Sequence, residues 1–263
     1  MSSLITLAEK TRDWLKQNPK ECYEPEHFFG IVWTRYKIVS IGERHVDAAH
    51  REFIAKMVQH WGSASIGLAL EIQASHQPAI NQYMQQGHGL PIDQWFTRDA
   101  KFLKILQAAR LTQTHVLAMD QTQKPLPFKL APGPMPSLRI LDRDKHMADA
   151  IGLLRARTSK MLVLAGMEHT KEASFGGKPP LGVRLVKTVG SAVYTIYAMT
   201  QHPQGHASDP LFKVLQAAFG PRGAIAFDID RSPLADAKIT DSVAKRSISW
   251  KDYCDGLMLF FKP

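Results

Sequence analysis

Cysteine is scarce. The chain has Cys22 and Cys254 and no others among its 263 residues, and neither belongs to a Cys-x-x-Cys pair. That excludes zinc-finger and dithiol-redox chemistry and leaves the expectation of two reduced thiols in a reducing compartment. Long apolar runs are also missing. No window approaches the roughly 18 residues needed for a membrane span. The opening Met-Ser-Ser-Leu-Ile-Thr-Leu-Ala-Glu-Lys has no basic start followed by an apolar core, and Cys22 lies in Lys-Glu-Cys-Tyr-Glu, which is no lipoprotein cleavage site. The expected location is therefore cytoplasmic. There is no phosphate-binding loop, no Gly-x-Gly-x-x-Gly after a strand and no Gly-x-Ser-x-Gly elbow, which argues against nucleotide-binding and serine-nucleophile classes.

Acidic charge is the scarcer sign: 33 Lys and Arg face 24 Asp and Glu, a net charge of +9. The basic residues are scattered, with Lys10, Arg12 and Lys16 along one helix and Lys238, Lys245, Arg246 and Lys251 near the end. No basic run is interleaved with aromatics, so nucleic acid is not the expected partner. A small-molecule or peptide substrate that is partly anionic suits the balance better.

What is present is an alternation of short apolar runs with helical patterns. Residues 3–17 form an amphipathic pattern through Leu4, Leu7, Ala8, Thr11, Trp14 and Leu15, ended by Asn18-Pro19. Strands are expected at 37–41, 66–72, 115–119, 161–165, 192–198, 224–229 and 256–261. Helices fall between them, including one over 138–155, and the proline-rich stretch 121–137 reads as an extended cover or lid. Continuous apolar strands separated by helices specify an α/β fold: a central, mainly parallel β-sheet with helices on both faces.

Ligands and chemistry collect at the carboxyl ends of parallel strands. Three expected strands end in candidate groups. Gly42-Glu-Arg-His45 delivers Glu43 and His45 to a turn, after which Asp47 caps a helix whose His50 points inward with Phe53, Ile54 and Met57. Glu71 sits inside Gly67-Leu-Ala-Leu-Glu-Ile72, where a buried carboxylate needs a partner. Arg143, on the apolar side of its own helix, is the expected counter-charge. Gly166-Met-Glu-His169 repeats the Gly-x-x-His pattern at another strand end, with Glu168 facing away. Glutamate and histidine together supply general acid–base chemistry or metal ligation. Asp142 reads as solvated, whether or not it pairs with Asp144. His202 and His206, around Pro203 and Gly205, read as surface loop histidines.

These residues carry a resemblance. Gly42-Glu-Arg-His45 with Asp47 and His50, Leu70-Glu71, Gln77-Pro78-Ala79-Ile80, Arg143-Asp144 with Met147-Ala148, and Leu164-Ala-Gly166-x-x-His169 resemble the ChaN-like haem-binding uptake family, within the wider group of erythromycin-esterase-like and Tiki/TraB-like proteins. The closing Tyr253-Cys-Asp-Gly-Leu-Met-Leu-Phe260 is similar to that group's terminal strand. The resemblance spans about 36–262 and follows a helical extension, 1–30. With no composition break, 1–263 reads as one α/β domain. Val46-Asp47-Ala48 stands where the family usually has Asp-Asn-Pro.

The resemblance implies a Glu/His cleft at the carboxyl edge of the sheet. It matches Glu43, His45, Glu71 and His169 to the catalytic or metal-ligating positions and Arg143 to the supporting arginine. Two functions follow as expectations. One is hydrolysis of an ester, amide or peptide bond, with His45 as base, Glu43 and Glu71 orienting or charge-stabilising, and His169 as acid or oxyanion partner. A divalent metal on His45, Glu71 and His169 would be its metal-assisted form. The other is haem or iron binding, for which basic charge suits propionates and a homodimer interface suits the macrocycle.

Overall fold

The computed structural model describes residues 2–45, 49–88, 100–121, 142–174, 178–201, 206–207, 209–240 and 247–261. Its strands are β1 (Ile38–Glu43), β2 (Ile66–Gln73), β3 (His115–Asp120), β4 (Lys160–Gly166), β5 (Val193–Thr200), β6 (Ala224–Asp228), β7 (Lys238–Thr240), β8 (Ser247–Ser249) and β9 (Gly256–Phe260). Its helices are α1 (Ser2–Gln17), α2 (Pro25–Arg35), α3 (Ala49–Trp61), α4 (Gln77–Gln86), α5 (Ala100–Leu111), α6 (Arg143–Arg155), α7 (Met167–Thr170), α8 (Leu181–Val189) and α9 (Pro210–Phe219). Seven strands form one sheet in the order β3-β2-β4-β1-β5-β9-β6. All its pairings are parallel except that of β6 with β9. The expected α/β class is the observed one.

Pleating sends alternate side chains to opposite faces. Val39, Ile41, Leu68, Leu70, Leu164 and Ile196 join α2, α3 and α5 in one core. On the other face, Ile38, Ala69 and Val163 pack with α6 and α8, while Tyr197, Leu257 and Leu259 pack with α1 and α9. Covered on both sides, the inner strands read as unbroken apolar runs.

Several limits differ from the sequence pattern. β1 continues past the apolar run to Glu43, so that glutamate ends the strand instead of entering the turn. It stays in the ladder because Glu43 still pairs with Gly166 of β4. The helix expected over 138–155 is described only from its cap, Asp142, whose side chain accepts from Lys145 N at 2.9 Å. Asp142 also holds Arg184 Nη2 at 2.7 Å, so it is a structural anchor and not a solvated carboxylate. The expected cap Asp47, His202 and the stretch 122–137 lie outside the described residues. α2 and the β7–β8 hairpin carried no clear periodicity, yet α2 buries Phe28, Phe29, Val32 and Trp33.

The β1–β4 edge is close-packed at one glycine. A Cβ on Gly42 would stand 2.3 Å from Thr170 Oγ1 and 3.2 Å from Met167 Cα. This contact fixes α7 against β1 and so sets the height of His169. Gly42→Ala should therefore cost about 1–3 kcal/mol, the usual cost of overpacking, measured by urea unfolding. Adding Thr170→Ala should recover part of the loss. An unchanged Gly42→Ala would contradict the packing argument.

Candidate functional site

Four adjacent strands, β3, β2, β4 and β1, bring their carboxyl ends together, and each supplies a piece of the site. Glu43 ends β1 on the side covered by α3. It is 3% exposed, and three basic side chains hold it. Arg51 Nη2 donates to Oε1 at 2.9 Å and Arg51 Nε to Oε2 at 3.3 Å. His45 Nδ1 lies 2.9 Å from Oε1, and His50 Nε2 contacts Oε2. Burial by itself would raise the Glu43 pKa, but the charges and hydrogen bonds of His50, His45 and Arg51 hold it well below the usual carboxylate range. Arg51 also donates to the His45 carbonyl at 3.2 Å, fixing the turn that carries the imidazole.

Glu71 approaches from the opposite face. Arg143 Nη2 donates to its Oε1 at 2.8 Å, and the Gly166 backbone N–H donates to its Oε2 at 2.6 Å. Arg143 also forks onto Asp120, Nε to Oδ1 at 2.8 Å and Nη2 to Oδ2 at 2.7 Å. The expected Glu71–Arg143 partnership exists, but Asp120 at the end of β3 shares the guanidinium. Gly166 packs at close quarters with the site: a Cβ there would stand 3.2 Å from His45 Nε2 and 3.3 Å from Glu71 Oε2.

The two histidines flank Glu71. His45 Nε2 is 3.4 Å from Glu71 Oε2, and His169 Nε2 is 3.5 Å from Oε1. Each imidazole has its own carboxylate on the other nitrogen. His45 uses Glu43, and His169 Nδ1 meets Asp144 Oδ1 at 2.8 Å. Asp144 is held in turn by the Leu181 N–H at 3.0 Å. The result is a chain, Glu43–His45–Glu71–His169–Asp144, with one dyad on each side of a central carboxylate.

The electrostatics follow from this chain. Burial would lower the His45 pKa, but its bonds to Glu43 and Glu71 raise it to about 9. Burial would raise the Glu71 pKa, but His45, His169 and the Gly166 N–H lower it to about 2. His169 is likewise raised against its burial, by Asp144 and then Glu71. Arg143 is raised by Asp120 and Glu71. At neutral pH, His45 is therefore an imidazolium between two carboxylates.

The five candidates Glu43, His45, Glu71, Arg143 and His169 thus lie in one hydrogen-bonded cluster. Arg51, Asp120 and the role of Asp144 were missed. Asp120 carried the same signal as Glu71, a carboxylate ending an apolar run, whereas nothing local marks Arg51. His50 does point inward, but toward Glu43, and its Nδ1 is buried without a partner. His206 is a correction: it is 2% exposed, not a surface residue. It meets the Tyr197 hydroxyl through Nε2, and its Nδ1 accepts the Thr200 N–H at 3.2 Å. Burial, then Arg44 and His50, depress its pKa to about 3, so it is neutral. Its tautomer places the proton on Nε2, which donates to Tyr197.

A metal on His45, Glu71 and His169 fits this arrangement poorly. Both nitrogens of each imidazole face carboxylates, and both Glu71 oxygens already accept from Arg143 or Gly166. Among the described residues no three His, Cys, Asp or Glu side chains are grouped to hold an ion.

Two outcomes test the cluster. Glu43→Gln removes the buried carboxylate that Arg51, His45 and His50 share, which should cost about 3–5 kcal/mol in denaturant unfolding. The pH dependence has two arms. His45, raised from 6.5 to about 9, contributes stability fully below 6.5 and loses it as pH rises through about 9. Glu71, lowered from 4.5 to about 2, contributes fully above 4.5 and loses it as pH falls through about 2. Thermal melts of His45→Gln should show a shallower alkaline decline than the parent, the remainder belonging to His169, whose pKa is also raised, and an identical decline would contradict the assignment.

No family model and no curated protein matches the chain. Among solved structures, the fold is similar to a succinoglycan biosynthesis protein, with TM-score 0.70 and 12% identity over 99% of this chain and 97% of that one. It is also similar to the erythromycin esterase EreC in its open conformation, with TM-score 0.61 and 12% identity over 90% and 93%. ChaN of Campylobacter jejuni, with cofacial haem, aligns at TM-score 0.44 and 13% identity over 66% and 84%. The first two similarities establish a shared α/β architecture along nearly the whole length of each chain.

Proposed function

We propose that this protein is a hydrolase of an ester, amide or peptide bond that uses the two histidine–carboxylate dyads around Glu71. The observation carrying this reading is the chain Glu43–His45–Glu71–His169–Asp144 at the mouth of four parallel strands. Each dyad pairs an imidazole with a buried or half-buried carboxylate, the arrangement that fixes ring orientation and stabilises imidazolium. The erythromycin esterase EreC has a similar fold.

In this reading a substrate carbonyl enters between His45 and His169 and displaces one of their contacts to Glu71. His45, once deprotonated, takes a proton from water through Nε2, and Glu43 keeps its Nδ1–H oriented. His169, protonated through Asp144 and Glu71, donates to the developing oxyanion or the leaving group. Glu71 holds the two imidazoles apart, and Arg143 with the Gly166 N–H keeps it ionised. The basic surface favours substrates that carry a negative group.

His45 must lose its proton to act as base, so kcat/KM should climb with pH toward about 9. A panel of chromogenic esters and peptide anilides checks this. His45→Ala and His169→Ala should each lose about 10²–10⁴-fold in turnover, and Glu71→Gln should lose activity while remaining folded by circular dichroism. Full activity in all three variants, or no turnover by the parent on any substrate, would overturn the reading. In the latter case a haem titration, followed by a saturable Soret shift at one equivalent, tests the carrier role implied by the family resemblance.

A further inference from the structure

A second polar cluster lies away from the dyads, on the sheet face that α1, α6, α8 and α9 cover. Two apolar cores meet this face, one under α6 and α8 and the other under α1 and α9. Polar side chains separate them. Ser40 of β1 pairs in register with Thr195 of β5, so their side chains share a face. The next strand brings Asp255, just before β9: its N–H donates to the Thr195 carbonyl at 2.9 Å and its Oδ2 accepts the Thr195 N–H at 2.7 Å. Glu172 descends onto this row after α7, its N–H held by the Tyr253 carbonyl at 3.1 Å.

The row is not self-sufficient. Ser40 and Thr195 are 0% and 1% exposed. Ser40 Oγ is buried with no hydrogen-bond partner, and Thr195 Oγ1 and Glu172 Oε1 make none of good geometry, although the Thr195 and Asp255 side chains stand close enough to the Glu172 carboxyl to offset part of its burial. Each such atom costs about 1–3 kcal/mol when left unsatisfied. No salt bridge among the described residues pairs a Lys or Arg with Glu172 or Asp255, and the charges acting on them are the carboxylates of Asp228, Asp230 and each other. Burial and this mutual repulsion push both acids upward. In a chain of net charge +9, a knot of carboxylates without a cation calls for one.

We propose that Ser40, Glu172, Thr195 and Asp255 form a binding site for a hard divalent cation, with Ca²⁺ as the fitting ion. All the donors are oxygens, which excludes ions that prefer nitrogen or sulfur. Two carboxylates balance two positive charges, and the two hydroxyls add neutral ligands. Ca²⁺ accepts such irregular oxygen shells and takes about six to eight oxygens, which bidentate carboxylates, nearby carbonyls and water complete, whereas Mg²⁺ requires near-ideal octahedral geometry. The bound ion would tie β1, β5 and β9 to the segment after α7. It would thereby support the backbone that carries His169.

The experiment uses the full chain, stripped with EGTA and titrated with CaCl₂ or MgCl₂ in calorimetry and thermal melts. Ca²⁺ should bind at one equivalent and raise Tm by about 5–10 °C at a hundredfold excess over Kd. Asp255→Asn, and Ser40→Ala with Thr195→Ala, should weaken it by at least about tenfold. Glu71→Gln should keep the full response, which separates this site from the dyads. If the Asp255 variant does not fold, Tb³⁺ luminescence excited through Tyr253 in the parent, displaced by Ca²⁺, gives the same answer. Absence of saturable binding, or equal binding by parent and variants, overturns the site. So does stability that rises as pH falls from 8 to 5 regardless of Ca²⁺, which would mark a shared proton in place of a metal.

Discussion

The structure turns on keeping Glu71 ionised among apolar side chains at the end of β2. A carboxylate taken out of water is tolerated only when charge and hydrogen bonds replace its hydration. Here the replacement comes from several chain segments at once: Arg143 from α6, the Gly166 N–H from β4, His45 from the turn after β1 and His169 from α7. Because each donor is tied to a different element, satisfying one charge also aligns the ends of the strands. Asp120 extends the arrangement to β3 by sharing Arg143.

Glu43 repeats the solution on the other face. Its carboxylate and the Arg51 guanidinium are both buried, and His45 reaches from that pair across the sheet edge to Glu71. His45 thus connects charges rooted on opposite faces, while His169 makes the matching connection through Asp144. The proton inventory follows from this symmetry. Carboxylates on both sides of each ring favour imidazolium, so the proposed reaction requires a substrate or a rise in pH to release a proton. The tautomer of His206 is set by a different route, a backbone N–H on Nδ1, which leaves it neutral beside Tyr197.

Much of the site was legible because its groups sit where sequence patterns are sharp. Gly-x-x-His at two strand ends and a glutamate within an apolar run are local signals, and each marks one of the residues that meet at Glu71. Asp120 offered the same kind of signal in Leu-Ala-Met-Asp. Arg51 offered none, because a basic residue beside a helical histidine is ordinary until the fold buries it. His206 misled for the opposite reason: proline and glycine nearby describe a loop, and loop character does not reveal whether a side chain turns into the core.

The sequence by itself determined the α/β class and the gathering of Glu and His at the carboxyl edge of the sheet, since these follow from the spacing of apolar residues and from polar groups at strand ends. Tertiary structure alone decided the strand order, which sets β4 between β2 and β1 and so puts Glu71, Gly166 and His45 in contact. It also decided which nitrogen faces which oxygen, and with that the protonation of each histidine. Such pairings join residues as distant in the chain as Glu71 and His169. They rest on burial and distance, quantities that spacing along a chain does not contain.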